Sequence, residues 1–109
     1  MDDRISPTAL RAEQETGTAP TVLDVRDAAD YAAGHVPGAW HIPAADLAGR
    51  LGEIPRGRPV VTYCTLRHPG AARSERAAAV LREHGFHARV LDGGLPAWHA
   101  AGLPVDAQG

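Results

Sequence analysis

The chain of 109 residues has one cysteine, no long hydrophobic run and no surplus of charge of either sign. A single thiol cannot close an internal disulfide, and it leaves neither a Cys-x-x-Cys redox pair nor a thiolate metal cluster, so thioredoxin-like chemistry is excluded. No apolar stretch approaches the roughly 20 residues of a membrane span. The N-terminus "MDDRISPTAL" carries acids where a secretory signal is basic and then apolar. No membrane partner is therefore expected, and the expected location is cytoplasmic. Lys and Arg total 11 against 13 Asp and Glu, a formal net charge of -2, which exerts no pull toward nucleic acid or an anionic surface. The histidines, His35, His41, His68, His84, His87 and His99, lack ligand spacing with acidic or cysteine partners. His84 and His87 are near neighbours, but Gly85 between them should end a helix, so neither a metal nor another cofactor is expected. Repeats, low-complexity tracts and internal linkers are absent too, and residues 1–109 are expected to form one domain with a modest core.

What is present is an alternation of short apolar runs with helical patterns, the signature of an α/β protein with a parallel sheet. The strand candidates are "TVLDV" (21–25), "AWHI" (39–42), "VVTY" (60–63) and "ARVL" (88–91), with a weaker fifth around Ile5 at an edge. The first and third are continuous and β-branched, as strands covered on both faces are. Ser6 followed by Pro7 predicts a helix start, with an end near Gly17. Pro43 opens "PAADLAGRL", where Ala44, Leu47, Ala48 and Leu51 fall on one helical stripe. Ala77, Val80, Leu81 and His84 repeat that spacing, Gly85 supplies a left-handed C-terminal residue, and Phe86 is expected to fold back on the last turn. "LPAWHAAG" places Leu95 and Trp98 on one side of a final helix closed by Gly102.

The lone thiol, Cys64, follows the "VVTY" strand and precedes a helix, which puts it at the carboxyl end of the sheet, where open α/β folds bind ligands. After it comes a loop, Thr65 to about Arg73, that runs into a helix N-terminus. Backbone amides and the partial positive charge at such a terminus favour an anion. Arg67 and Arg73 add fixed charge, and His68 adds more when protonated. All of these favour thiolate over thiol and hence a nucleophile at neutral pH. Free cysteine is also one of the most buried residue types and often only packs. A core-facing cysteine, however, is not normally followed so closely by arginine, histidine, proline and glycine.

At these residues the sequence resembles the rhodanese, or thiosulfate sulfurtransferase, family. "YAAGHVPGAWHI" (31–42) has the family's aromatic residue, here Tyr31, followed by His-Val-Pro-Gly-Ala, here His35 to Ala39. Asp24 and Arg26 in "VLDVRDAADY" match its Asp-x-Arg segment, Cys64 matches its active-site cysteine, and "LDGGLPAW" (91–98) is similar to its closing Gly-Gly and Trp motif. The motifs come in the family's order over about residues 20 to 104. The resemblance implies a five-stranded, mostly parallel sheet with helices on both faces. It also implies transfer of a sulfane sulfur, from a donor such as thiosulfate or a persulfide to a thiol or cyanide acceptor, through a persulfide on Cys64. The partners implied are small molecules, with a protein thiol as a further acceptor.

By that resemblance Arg67, His68, Gly70, Arg73 and Ser74 are the expected substrate-binding residues, the last two matching the Arg-Ser pair that closes the family's loop. Asp24, Arg26 and His35 are expected to support the site structurally, the first two as an ion pair or loop anchor and His35 through hydrogen bonds to backbone. The sequence departs from the pattern in its loop: Arg73 stands nine positions after Cys64, farther than is usual in the family. Leu95 also stands where many relatives have an aromatic residue. Two other readings stay open. One is a non-catalytic or regulatory sulfur-carrier or binding module. The other is a cysteine-dependent phosphatase or arsenate reductase, which uses a lengthened Cys-loop-Arg cradle, although this loop lacks an aspartate to act as the acid.

Overall fold

The computed structural model describes residues 3–17, 19–65 and 73–107. Its sheet has five strands: β1 (Arg4–Ile5), β2 (Thr21–Asp24), β3 (Trp40–His41), β4 (Val60–Tyr63) and β5 (Ala88–Leu91). Their order is β1-β5-β4-β2-β3, and every neighbouring pair is parallel. The carboxyl ends of the strands therefore share one edge, where Asp24 of β2 lies beside Tyr63 of β4. Both central strands are buried along their whole length, which accounts for their continuous apolar sequence. The weak strand around Ile5 forms, at the edge, beside β5.

Side chains alternate across a strand with a period of two, and that divides the interior. Val60 and Cys64 belong to one core cluster with Leu23, Leu47, Ala77, Ala78, Leu81 and Phe86. Val61 and Tyr63 belong to the other, with Leu10, Val22, Val36, Leu91 and Trp98. Full burial of a side chain such as Leu10 or Leu81 stabilises the fold by about 1.5–3 kcal/mol.

The second cluster is covered by α1 (Pro7–Gln14) and α4 (Gly94–Ala100), the first by α3 (Arg73–Glu83) and the stretch after Pro43. Helices thus lie on both faces. Helix α1 starts as its cap predicts, with Ser6 Oγ accepting from the Ala9 N–H at 3.2 Å, but ends at Gln14, short of Gly17. Glu13 at its end meets Arg89 of β5 in a two-pronged ion pair, 2.7 and 2.9 Å. Helix α3 ends on Gly85 at φ 88, and the Phe86 N–H returns to the Leu81 carbonyl at 3.0 Å. His84, expected on its buried stripe, is exposed. In α4, Trp98 is fully buried and its Nε1 donates to the Pro104 carbonyl at 2.7 Å, whereas Trp40 on edge strand β3 is 42% exposed.

Two elements depart from the sequence reading. The stretch after Pro43 is not one α-helix but two 3-10 segments, Ala44–Gly49 and Leu51–Glu53, in which only Leu47 is buried. Gly49 and Gly52 weaken an α-helix there, and little of its stripe finds a core to hold it. A further helix, α2 (Ala28–Ala33), has no counterpart in the sequence pattern; it buries no residue and follows Asp27 at its N-cap. No described helix is long and apolar enough to cross a membrane.

Candidate active site

Cys64 directly follows β4, and the alternation of that strand aims its side chain at the first turn of α3. Sγ lies 3.3 Å from Oγ of Ser74, and both residues are buried, Cys64 to within 2% of full enclosure. On the same face Thr62 Oγ1 donates to the Ser74 carbonyl at 2.7 Å, which fixes the start of the helix under the end of the strand. The thiol thus sits beside the positive end of α3, with a hydroxyl in reach. It is also counted in the apolar core, so the packing role that free cysteine often plays is realised here together with a polar contact.

The backbone of Cys64 is held from the other side. Its carbonyl accepts the Leu95 N–H at 3.0 Å, and Gly94, at φ 62, passes so close that a Cβ there would lie 2.1 Å from the Cys64 oxygen. The Gly-Gly pair read from the sequence therefore serves a backbone approach that only glycine permits. Arg73, expected on substrate, opens α3 and places Nη1 3.2 Å from Asp27 Oδ1, at the N-terminus of α2. Arg67, His68 and Gly70 lie outside the described residues, as do the loop amides expected to surround the sulfur.

A buried polar group supports this edge of the sheet. Arg26 Nε and Nη2 donate to both oxygens of Asp24, between 2.6 and 3.1 Å, and Nη2 also donates to the Gly34 carbonyl. Tyr63 Oη donates to Asp24 Oδ2 at 2.8 Å and accepts the Val36 N–H at 3.0 Å. Burial, and then the neighbouring Asp24 charge, push the Tyr63 phenol far above its ordinary value, so it stays a hydrogen-bond donor. Burial works against the charge of Arg26, but its bonds to Asp24 outweigh that and hold its pKa above the ordinary value. The pair is thus a paired, hydrogen-bonded anchor of the kind a buried charge requires. His35 donates from Nδ1 to the Tyr31 carbonyl at 2.7 Å and stacks on the Tyr31 ring, with centroids 3.9 Å apart.

Between α2, α4 and Thr65 lies an open cavity of about 460 Å³, lined mainly by apolar groups and including Arg26. Sequence reasoning missed Tyr63 and Asp27. Tyr63 was legible from the period of two, which turns it away from Cys64 toward Asp24. Asp27 carried no signal beyond its place before α2.

Residues 6–101 match the rhodanese-like domain family. A sulfurtransferase of Allochromatium vinosum is 40% identical over 88 residues, covering 79% of this chain and 78% of its own length. The thiosulfate sulfurtransferase GlpE of Shewanella oneidensis is 37% identical over 81 residues, 73% of this chain and 76% of that protein. The HTH-type transcriptional regulator Rv0324 of Mycobacterium tuberculosis is 40% identical over 105 residues, 96% of this chain, but the chain spans only 45% of that protein's length. Among solved structures, BH2092 of Bacillus halodurans superposes with a TM-score of 0.85 at 26% identity, over 96% of this chain and 77% of that one. A rhodanese-related protein of Thermoplasma volcanium does so with a TM-score of 0.83 at 25% identity, over 94% and 96%.

Proposed function

The chain belongs to the rhodanese-like domain family, and on that premise we propose that it is a sulfurtransferase whose nucleophile is Cys64. The observation that carries the proposal is the placement of its Sγ, at the carboxyl end of the central strand, 3.3 Å from Ser74 Oγ in the first turn of α3. In the first half-reaction Cys64 thiolate attacks the outer sulfur of a donor such as thiosulfate. The sulfur–sulfur bond of the donor breaks and sulfite leaves with the bonding pair. In the second, an acceptor thiolate or cyanide attacks the outer sulfur of the Cys64 persulfide, and Cys64 departs as thiolate. One difficult transfer becomes two easier ones. The Ser74 hydroxyl donates to Sγ when the sulfur is anionic, before its attack on the donor and as it departs in the second half-reaction, and the helix terminus favours the same charge. With no second thiol in the chain, the persulfide is not lost to an internal disulfide and is kept for an external acceptor.

Incubation with thiosulfate or a small organic persulfide, followed by intact-mass measurement, tests this. Wild type should gain the mass of one sulfur atom and then release thiocyanate when cyanide is added. Cys64→Ser should do neither. A wild-type protein that stays unmodified under both donors overturns the reading.

The second reading, a regulatory or sulfur-carrying module without turnover, is favoured by the enclosure of Cys64 and by the kinship with a transcriptional regulator. It differs in outcome: the sulfur adduct forms but is not discharged in repeated cycles. A phosphatase would need the Arg73 guanidinium to bind an oxyanion, and one of its nitrogens, Nη1, meets Asp27 at 3.2 Å in an exposed ion pair. p-Nitrophenyl phosphate should not be hydrolysed.

A further inference from the structure

Asp27 stands at the N-cap of α2 with the extended backbone of a cap residue, φ -69 and ψ 159, yet its carboxylate makes no cap hydrogen bond. An aspartate in that position ordinarily accepts an N–H from the first turn of its own helix. Here Oδ1 turns instead to Arg73 Nη1, 3.2 Å away and 46 positions along the chain. Arg73 is the first residue of α3 and the neighbour of Ser74, whose hydroxyl lies 3.3 Å from Cys64 Sγ. Both side chains of the pair are open to water, 40% and 73% exposed, and only one guanidinium nitrogen is engaged among the described residues. An ion pair of that kind is weak and opens readily. A fixed negative charge thus sits against a cation that an anionic sulfur donor would seek.

Resting on the sulfurtransferase reading, we propose that Asp27 is a positioning residue that sets donor specificity: by holding Arg73 it favours donors of one negative charge, of the alkyl thiosulfonate class, over dianionic thiosulfate. A donor has to share Arg73 with the Asp27 carboxylate or displace it. Coulomb repulsion grows with the product of the charges, so a dianion meets twice the repulsion that a monoanion meets at the same place. With Arg73 unpaired the order reverses, because the dianion gains more from the guanidinium. The chemistry does not separate the two donors. In each, Cys64 thiolate bonds to the outer sulfur, the sulfur–sulfur bond of the donor breaks, and sulfinate from the thiosulfonate or sulfite from thiosulfate leaves with the bonding pair. No proton, oxidant or reductant enters.

Two measurements decide it. In the first, the rate of sulfur loading is taken with thiosulfate and with methanethiosulfonate on the same preparation, and their ratio is compared between variants. A purely structural role for Asp27 slows both donors alike and leaves the ratio unmoved. At an ionic strength of about 10 mM, Asp27→Asn should raise the thiosulfate-to-methanethiosulfonate ratio about three- to tenfold, and the rise should shrink below about twofold in about 1 M salt. Asp27→Glu, which keeps the charge, should stay close to wild type. In an Arg73→Gln background the effect of Asp27→Asn should largely vanish. In the second, thiosulfate is titrated calorimetrically at low salt into Cys64→Ser, which cannot take up the sulfur, with and without Asp27→Asn. The dissociation constant should fall about three- to tenfold when Asp27 is replaced. An unchanged donor ratio, an equal rise in the Arg73→Gln background, or a titration that is the same in both forms overturns the proposal. If neither donor loads wild type, the sulfurtransferase reading fails, and the titration still decides whether Asp27 governs the binding of a dianion.

Discussion

Tyr63 and Cys64 are consecutive in the chain, yet their side chains leave opposite faces of the sheet, Tyr63 Oη to Asp24 at 2.8 Å and Cys64 Sγ to Ser74 at 3.3 Å. One strand end thereby carries both the Asp24–Arg26–Tyr63 anchor and the proposed nucleophile, and substitutions on the two faces should have separable effects.

On the anchor face, Tyr63→Phe removes the hydroxyl that serves both Asp24 and the Val36 N–H, leaving two buried groups short of a partner. A loss of about 1–3 kcal/mol is expected in urea unfolding. Sulfur transfer per folded molecule should stay within about threefold of wild type, because the phenol faces away from the thiol. A variant as stable as wild type would show that this network contributes nothing.

On the reactive face, Ser74→Ala should act on chemistry more than on folding. Loss of one hydrogen bond to the sulfur predicts sulfur loading from thiosulfate about two- to tenfold slower. Ser74→Thr, which keeps the hydroxyl, should recover part of it. Equal loading rates in wild type and the alanine variant would remove Ser74 from the mechanism.

Gly94→Ala forces a Cβ to within 2.1 Å of the Cys64 carbonyl at a left-handed φ of 62. The left-handed penalty alone is about 1–2 kcal/mol, and the clash adds to it, so thermal unfolding should show a larger drop together with lost activity. Gly102→Ala is the control: φ there is 78, but nothing lies within 4 Å, so only the conformational penalty applies. Equal melting temperatures for the two variants would contradict the close approach.

The Glu13–Arg89 pair should give stability a defined acid dependence. Its hydrogen bonds from Arg89 lower the Glu13 pKa from its ordinary value of 4.5, against an opposing contribution from burial. A carboxyl lowered in the folded state stabilises above its unfolded value and loses that stabilisation as pH falls through the folded one. Wild type should therefore exceed Glu13→Gln by about 0.5 kcal/mol near neutrality, a small figure because the pair is partly solvated. The two should converge in acid below the ordinary carboxylate range. A gap that persists there would assign the effect to packing.

The strands were legible because each is a short apolar run fenced by turn residues. The α3 terminus was legible because Gly85 and Phe86 mark it chemically. Helix α2 is not legible in the sequence because it buries nothing and so imprints no periodicity on it. The stretch after Pro43 did carry a helical stripe, but Ala44 and Leu51 are only half-buried, and packing did not enforce what the pattern allowed. Around the thiol, the strand-to-helix placement and the Asp24–Arg26 pair were readable from order and motif. The Arg73–Asp27 contact was not, because it joins residues 46 positions apart through side chains whose meeting depends on how two helix ends are set in space.

The two tryptophans occupy opposite surroundings, Trp98 sealed against the sheet and Trp40 standing in water on the edge strand. The molecule therefore carries two intrinsic optical reporters that a contact quencher such as acrylamide can tell apart. Emission that survives the quencher follows the integrity of the interior beneath α4, while the quenchable fraction registers whatever settles on the rim of the sheet, with no label attached.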